Sequence, residues 1–199
     1  VIDGGTGDDV INGGTGADTI DGGAGSDTID YSSSDEGVII DFQNGIVSGG
    51  DAEGDSLTGI ENITGSAHDD TLTGDAGDNR IQGGEGADTL DGGAGNDTFL
   101  EGALSAADGN LNVVSYTDAT AAITLSMSGA NMIVVGGDAS VGTDTIINTD
   151  RVYGTAFDDQ FAIDANWLGS QYSTFGGGAT GQFNEINGGA GDDSIDGNG

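Results

Sequence analysis

A nine-residue period constrains this chain more than any other feature. From Gly74 to Leu100 it reads GDAGDNRIQ, GGEGADTLD, GGAGNDTFL, with Gly first and fourth, Asp or Asn sixth, and a large apolar residue eighth. The frame recurs from Gly4 to Asp30 as GGTGDDVIN, GGTGADTID, GGAGSDTID, and from Gly188 to Asp196 as GGAGDDSID. Six Gly-rich residues make a turn, because Gly reaches positive φ and lets backbone carbonyls crowd toward one point. The remaining three are short and extended, and alternation sends the eighth residue inward and its neighbours outward. One apolar side chain in nine cannot make a core alone. Stacked copies can, and Ile11, Ile20, Ile29, Leu72, Ile81, Leu90, Phe99 and Ile195 form the expected interior rows of a solenoid.

The sixth position carries the chemistry. Carboxylates brought close by stacking repel one another, so a cation belongs between them. Hard oxygen ligands, many of them carbonyls, with no imidazole or thiolate among them, suit Ca²⁺ over zinc or copper.

These units match G-G-x-G-x-D-x-U-x, the established signature of the RTX (hemolysin-type calcium-binding repeat) family, and the chain resembles a segment of a secreted bacterial RTX protein. The resemblance implies an all-β fold, a parallel β-roll or β-helix solenoid in which two nines make one turn and each ion bridges units eighteen residues apart. It also implies the ligands: carbonyls from the second and fourth residues of one unit, carbonyls from the first and third of the unit two along, and both sixth-position side chains. On that pattern Gly5, Gly7 and Asp9 share an ion with Gly22, Ala24 and Asp27. Asp75, Gly77 and Asn79 face Gly92, Ala94 and Asp97, and Ser66, His68 and Asp70 face Gly83, Glu85 and Asp88. Asp18, Asp159 and Asp193 hold the same sixth position elsewhere, so several calcium ions are expected.

Charge sharpens this reading. The 199 residues contain 35 acidic and 2 basic side chains, Arg80 and Arg151, for a net charge of −33. Nucleic acid needs a basic face and is excluded as a partner, and anionic membrane surfaces are disfavoured. No apolar run approaches a membrane span, so membrane insertion is not expected. Carboxylate repulsion opposes the compact state until it is neutralised, which predicts a chain disordered without metal and folded with it. Disulfides cannot substitute, because Cys is absent.

Two irregular stretches interrupt the frame. The expected organisation is a nonapeptide β-roll over 1–30, a β insert over 31–64, a second roll over 65–102, a second insert over 103–153, and a degenerate then regular roll over 154–199. The interruption is itself repeated: GGDAEGDSLTGIENITGSAHDDTLT at 49–73 aligns with GGDASVGTDTIINTDRVYGTAFDDQFA at 136–162, and Tyr31 corresponds to Tyr116. Because Asp70 and Asp159 land back in register, the inserts are expected to continue the solenoid as larger coils; separate loops packed on one face are the alternative. Within 111–135, LNVVSY, AITLSMS and MIVV read as a hairpin or meander. Trp167, Tyr172, Phe175 and Phe183 concentrate in 163–183, either as local core for a widened coil or as a carbohydrate- or partner-binding patch.

Other signals dissolve on inspection. Gly176–Gly181 fits G-x-G-x-x-G without a strand-to-helix context. Asp108-x-Asn110-x-Asn112 begins like an EF-hand loop but has Val113 where Gly is required. His68 holds a turn position suited to a backbone role, and no hydrolase or zinc-protease motif is present. The expected function is a non-enzymatic, calcium-binding structural segment of a secreted or cell-surface protein such as an adhesin, surface layer or filament. The alternative is an accessory module of an exported enzyme (protease, lipase or alginate epimerase). Both ends fall inside a nine, so the chain is expected to be a window of a longer protein, with calcium-dependent self-association or other surface components as further partners.

Overall fold

The computed structural model describes residues 1–100, 112–127, 132–147, 151–163 and 185–197. Each regular nine yields one short strand at its last residues: β1 (Ile2–Asp3), β2 (Val10–Ile11), β3 (Thr19–Asp21) and β4 (Thr28–Asp30) in the first array, then β9 (Thr71–Thr73), β10 (Arg80–Gln82), β11 (Thr89–Asp91) and β12 (Thr98–Leu100) in the second. Strands this short are set by the turns, which leave only three residues free to extend. Consecutive strands go to opposite walls. Pairing is parallel and joins every second strand, with Ile2 opposite Ile20, Ile11 opposite Ile29, Ile81 opposite Phe99 and Leu72 opposite Leu90. That is the eighteen-residue coil of a parallel β-roll.

The inserts contribute strands to the same walls. The first supplies β5 (Ile39–Asp41), β6 (Ile46–Ser48), a one-turn 3-10 segment at Gly50–Ala52, β7 (Ser56–Thr58) and β8 (Asn62–Thr64). β7 extends the first array, with Leu57 opposite Ile20, and β8 lies between β4 and β10, with Ile63 opposite both Ile29 and Ile81. β5 pairs in parallel with β9, while β6 folds back against β5 as an antiparallel hairpin.

The second insert repeats the plan with β13 (Val113–Ser115), β14 (Thr124–Met127), β15 (Met132–Gly136), β16 (Thr143–Ile147), β17 (Arg151–Tyr153) and β18 (Gln160–Ile163), and the chain continues to β19 (Glu185–Asn187) and β20 (Ser194–Gly197). Of the hairpin or meander expected over 111–135, AITLSMS and MIVV pair antiparallel as β14–β15, and β16 beyond them adds a further antiparallel strand. The LNVVSY run departs from it: β13 joins the opposite wall in parallel between β11 and β17. The walls are a ten-stranded sheet ordered β2-β4-β8-β10-β12-β16-β15-β14-β18-β20, a seven-stranded sheet ordered β19-β17-β13-β11-β9-β5-β6, and a three-stranded sheet of β1, β3 and β7.

The core is the row of eighth-position residues. Ile11, Ile20, Ile29, Leu72, Ile81, Leu90 and Phe99 are buried, as are Ile40, Ile63, Val114, Ile146, Val152 and Phe161 from the irregular coils. Strand neighbours point out, as Val10 shows with 73 % exposure. The side chain of Ile195 and the aromatic stretch with Trp167, Tyr172, Phe175 and Phe183 lie outside what is described. Among the described residues no helix is long and apolar enough to cross a membrane.

A core one side chain wide has no second layer to absorb a void. Leu72→Ala is expected to cost about 2–5 kcal/mol, whereas Val10→Ala should stay within about 0.5 kcal/mol. Urea unfolding at saturating calcium measures both, and comparable losses would contradict the one-row core.

Candidate metal centre

Every turn ends in a sixth-position residue that links it to the next coil. The backbone N–H of Asp9 donates to Oδ1 of Asp27 at 2.8 Å, that of Asp70 to Asp88 at 3.0 Å, and that of Asn79 to Asp97 at 2.8 Å. Bonds of the same kind span the inserts: Asp18 N–H reaches Oδ1 of Asp55, Asp97 N–H reaches Asp144, and Asp159 N–H reaches Asp193. Glu61 and Asn112 fill the same role, accepting from Asp27 and Asp88. An outer ladder runs beside it through the fifth position, where Asp8, Asp69, Asp78 and Asp158 accept from the next coil.

One carboxylate oxygen is thereby used and the other is left. Oδ2 of Asp9, Asp27, Asp88, Asp97 and Asp144 is buried with no hydrogen-bond partner. A buried anionic oxygen without a donor is costly and calls for a counter-charge. With two basic residues against 35 acidic ones, the chain cannot supply it from side chains. The free oxygens are also aimed at a shared place. A Cβ added at Gly4 would lie 3.0 Å from Oδ2 of Asp9 and 2.5 Å from the carbonyl of Gly22, so glycine holds open the space where both converge. Gly65, Gly74 and Gly154 hold the equivalent space open beside Oδ2 of Asp70 and the Gly83 carbonyl, Oδ1 of Asn79 and the Gly92 carbonyl, and Oδ2 of Asp159 and the Gly188 carbonyl, although each of those side-chain oxygens already accepts a backbone N–H.

The expected ligand sets are thus brought together turn on turn, but they differ in how much of their capacity remains. In the Asp9–Asp27 set, Gly5 accepts from Ala24 N–H at 2.9 Å and Ala24 accepts from Gly7 N–H at 2.8 Å; each carbonyl keeps a second lone pair. Asp75 and Ala94 are joined in the same way in the Asn79–Asp97 set, alongside Gly77 and Gly92. There Asn79 is itself engaged, accepting from Asp75 N–H and donating to the Glu61 carbonyl. Asp70 is engaged further, accepting from Val38 N–H, Ser66 N–H and the Ser66 hydroxyl, so its half of the set with Gly83, Glu85 and Asp88 is met largely by protein donors. His68 takes part through its backbone, as its turn position required. Asp159 repeats Asp70, with Thr155 in place of Ser66. Among the described residues no three carboxylate or imidazole side chains close on one point. The arrangement offers paired carboxylates supplemented by carbonyls, the oxygen-rich donor set of a calcium site.

Reading the nines alone misses Asp55, Glu61, Asn112 and Asp144. The surviving signal is a polar or acidic sixth residue two before an apolar eighth, as in GDAEGDSLT at 50–58 and ASVGTDTII at 139–147.

Electrostatics reflect the crowding. Burial pushes the Asp88 carboxyl up to about 7 against the opposing Asp70 N–H, and the charges of Asp70 and Asp69 add to the rise. Burial likewise lifts Asp97 to about 7, with Asp144 and Asp78 among the repelling charges, and Asp144 to about 6. In the unfolded chain these groups ionise near 3.8. A raised folded value means that the metal-free roll is favoured while the groups are protonated, and that this advantage is lost as pH rises from about 4 through about 7. Calcium-stripped protein should therefore gain β signal in circular dichroism as pH falls from 8 to 5, and calcium binding near pH 6.5 should release protons. A signal flat across that range would contradict buried, repelling carboxylates.

Residues 1–33, 64–99 and 179–199 match the RTX calcium-binding nonapeptide repeat family, in four copies. No curated protein matches the chain. Within the described residues, the matched segments form parallel coils, and part of the sixth-position ladder lies in them. The chain thus carries RTX calcium-binding nonapeptide repeats over these three segments.

Proposed function

We propose that this is a non-catalytic structural segment of a large secreted or cell-surface bacterial protein, which leaves the cell unfolded and folds outside on meeting calcium. The observation that carries it is the set of buried, partnerless Oδ2 atoms at Asp9, Asp27, Asp88, Asp97 and Asp144. Between the first and third turns, Asp9 and Asp27 hold the ion through their side chains, with carbonyls from Gly5, Gly7, Gly22 and Ala24. Calcium supplies the positive charge that the chain lacks, and the residues supply position: coils are held in register by the ladder, so binding is driven largely by relief of repulsion. A surface, matrix or filament component suits two large units built on one plan, each with an insert that stays within the solenoid. Extracellular calcium modules bind with Kd of roughly 10⁻⁴–10⁻³ M, which keeps such a chain unfolded before export.

Circular dichroism in chelator and then in millimolar calcium tests folding, and a β signal indifferent to chelator at neutral pH would sink the proposal. Ligand spacing has its own test. Asp27→Ala should weaken the site shared with Asp9 by tenfold or more, while Asp18→Ala, whose ladder partner is Asp55, should leave it within about twofold. Equal effects on the Asp9 site would rule out that assignment.

A further inference from the structure

Each insert has a tyrosine at the position after a strand where a regular nine has its first glycine: Tyr31 follows β4 and Tyr116 follows β13. Both are buried. In a regular turn this glycine leaves room for the free carboxylate oxygen and for whatever joins it. A tyrosine there fills that room.

The contact it makes is specific. The Tyr31 hydroxyl donates to Oδ2 of Asp55 at 2.9 Å, while Oδ1 of the same carboxylate accepts from Asp18 N–H at 2.8 Å. Asp55 therefore has the ladder bond of a regular sixth-position residue, and its second oxygen, the one stranded at Asp27, Asp88 and Asp97, is met by a neutral donor. Burial and the Asp55 carboxylate both push the Tyr31 hydroxyl upward, so it remains a donor at every physiological pH.

The coil that comes next carries no carboxylate at the ladder position. Val38 stands there, two residues before the buried Ile40, and gives its N–H to Asp70. The second insert has the same parts. Tyr116 lies beside Asp144 without closing a well-formed hydrogen bond, and Ile123 stands two residues before the buried Leu125 and gives its N–H to Asp159. In each case an antiparallel hairpin, β5–β6 or β14–β15, occupies the same step.

We propose that the Tyr31 hydroxyl replaces a cation at the Asp55 turn, making the first insert an ion-free joint that ends one column of calcium sites and starts another. The inference rests on the calcium reading of the regular turns. The joint lies on the three-stranded wall, since Asp55 leads into β7. Where one column stops, the other wall keeps its acidic ladder: Asp27 bonds to Glu61 alongside the first joint.

The test uses the whole chain, with thermal melting in saturating calcium and bound calcium counted by native mass spectrometry. Tyr31→Phe should hold as many calcium ions as the wild type and melt roughly 5 °C lower, a deficit that tenfold more calcium does not remove. Tyr31→Phe with Asp55→Asn should recover much of the loss, because Asn keeps an acceptor for Asp18 N–H, as Asn112 does for Asp88, without stranding a charge. If the single variant does not fold, folding of the double variant supports the inference equally. Loss of one calcium from Tyr31→Phe would make the hydroxyl a ligand and overturn the inference. An unchanged midpoint, or a double variant no more stable than the single, would overturn it too. A wild-type chain that binds no calcium would overturn the calcium reading itself, so the two failures are told apart by which sample shows them.

Discussion

The structure depends on one bond repeated along the roll: a sixth-position backbone N–H donating to a carboxylate oxygen of the next coil. A carboxylate accepts more strongly than a carbonyl, so this bond reinforces, coil to coil, a β ladder only three residues long. It also fixes where the second oxygen points. Using Oδ1 for register turns Oδ2 toward the inside of the turn, where water is excluded and no donor waits at Asp27, Asp88 or Asp97. The feature that orders the stack thus creates its electrostatic problem. Calcium answers that problem, and a protonated carboxyl is the weaker substitute available to the metal-free chain.

Glycine is the other half of the design. Gly4 stands where a side chain would strike both the free Oδ2 of Asp9 and a carbonyl of the neighbouring coil, and Gly65, Gly74 and Gly154 hold the same place beside oxygens of Asp70, Asn79 and Asp159 that already accept hydrogen bonds. Gly23 adds a backbone reason, since it sits at φ +98° and any Cβ there would meet the Gly5 carbonyl. Composition, charge and metal dependence are therefore one constraint. Glycine permits coils to approach, the approach buries carboxylates, and the buried carboxylates need a cation.

That logic explains what the sequence made legible. Period and pattern settle the buried row, while the parallel coil and its eighteen-residue register at Ile11 and Ile29 come with the family resemblance. The inserts are harder to read. Asp55 pairs with Asp18 across 37 residues, and Asp97 with Asp144 across 47, since hairpins intervene. Their flanks have lost the glycines that mark a nine, although the sixth and eighth positions persist. Asp70 shows the opposite case: it fits the motif, but Ser66 and Val38 already donate to its oxygens. A motif reports residue type, and the free valence of that residue is set by neighbours that the motif does not include.

The irregular coils also show how a solenoid can change its wall without losing register. An antiparallel hairpin inserted between parallel coils has no sixth-position carboxylate to pass on, so the ladder must stop and restart. It restarts at Val38 and Ile123, which donate an N–H but accept nothing, and whose apolar side chains are buried. A donor-only start needs a receiving carboxylate whose other oxygen is already satisfied, because no acidic partner precedes it to share an ion. Asp70 and Asp159 meet that condition through the hydroxyls and N–H groups of Ser66 and Thr155. The degenerate nines GSAHDDTLT and GTAFDDQFA depart from consensus at the second position because a Ser or Thr is needed there, at the first turn after each interruption.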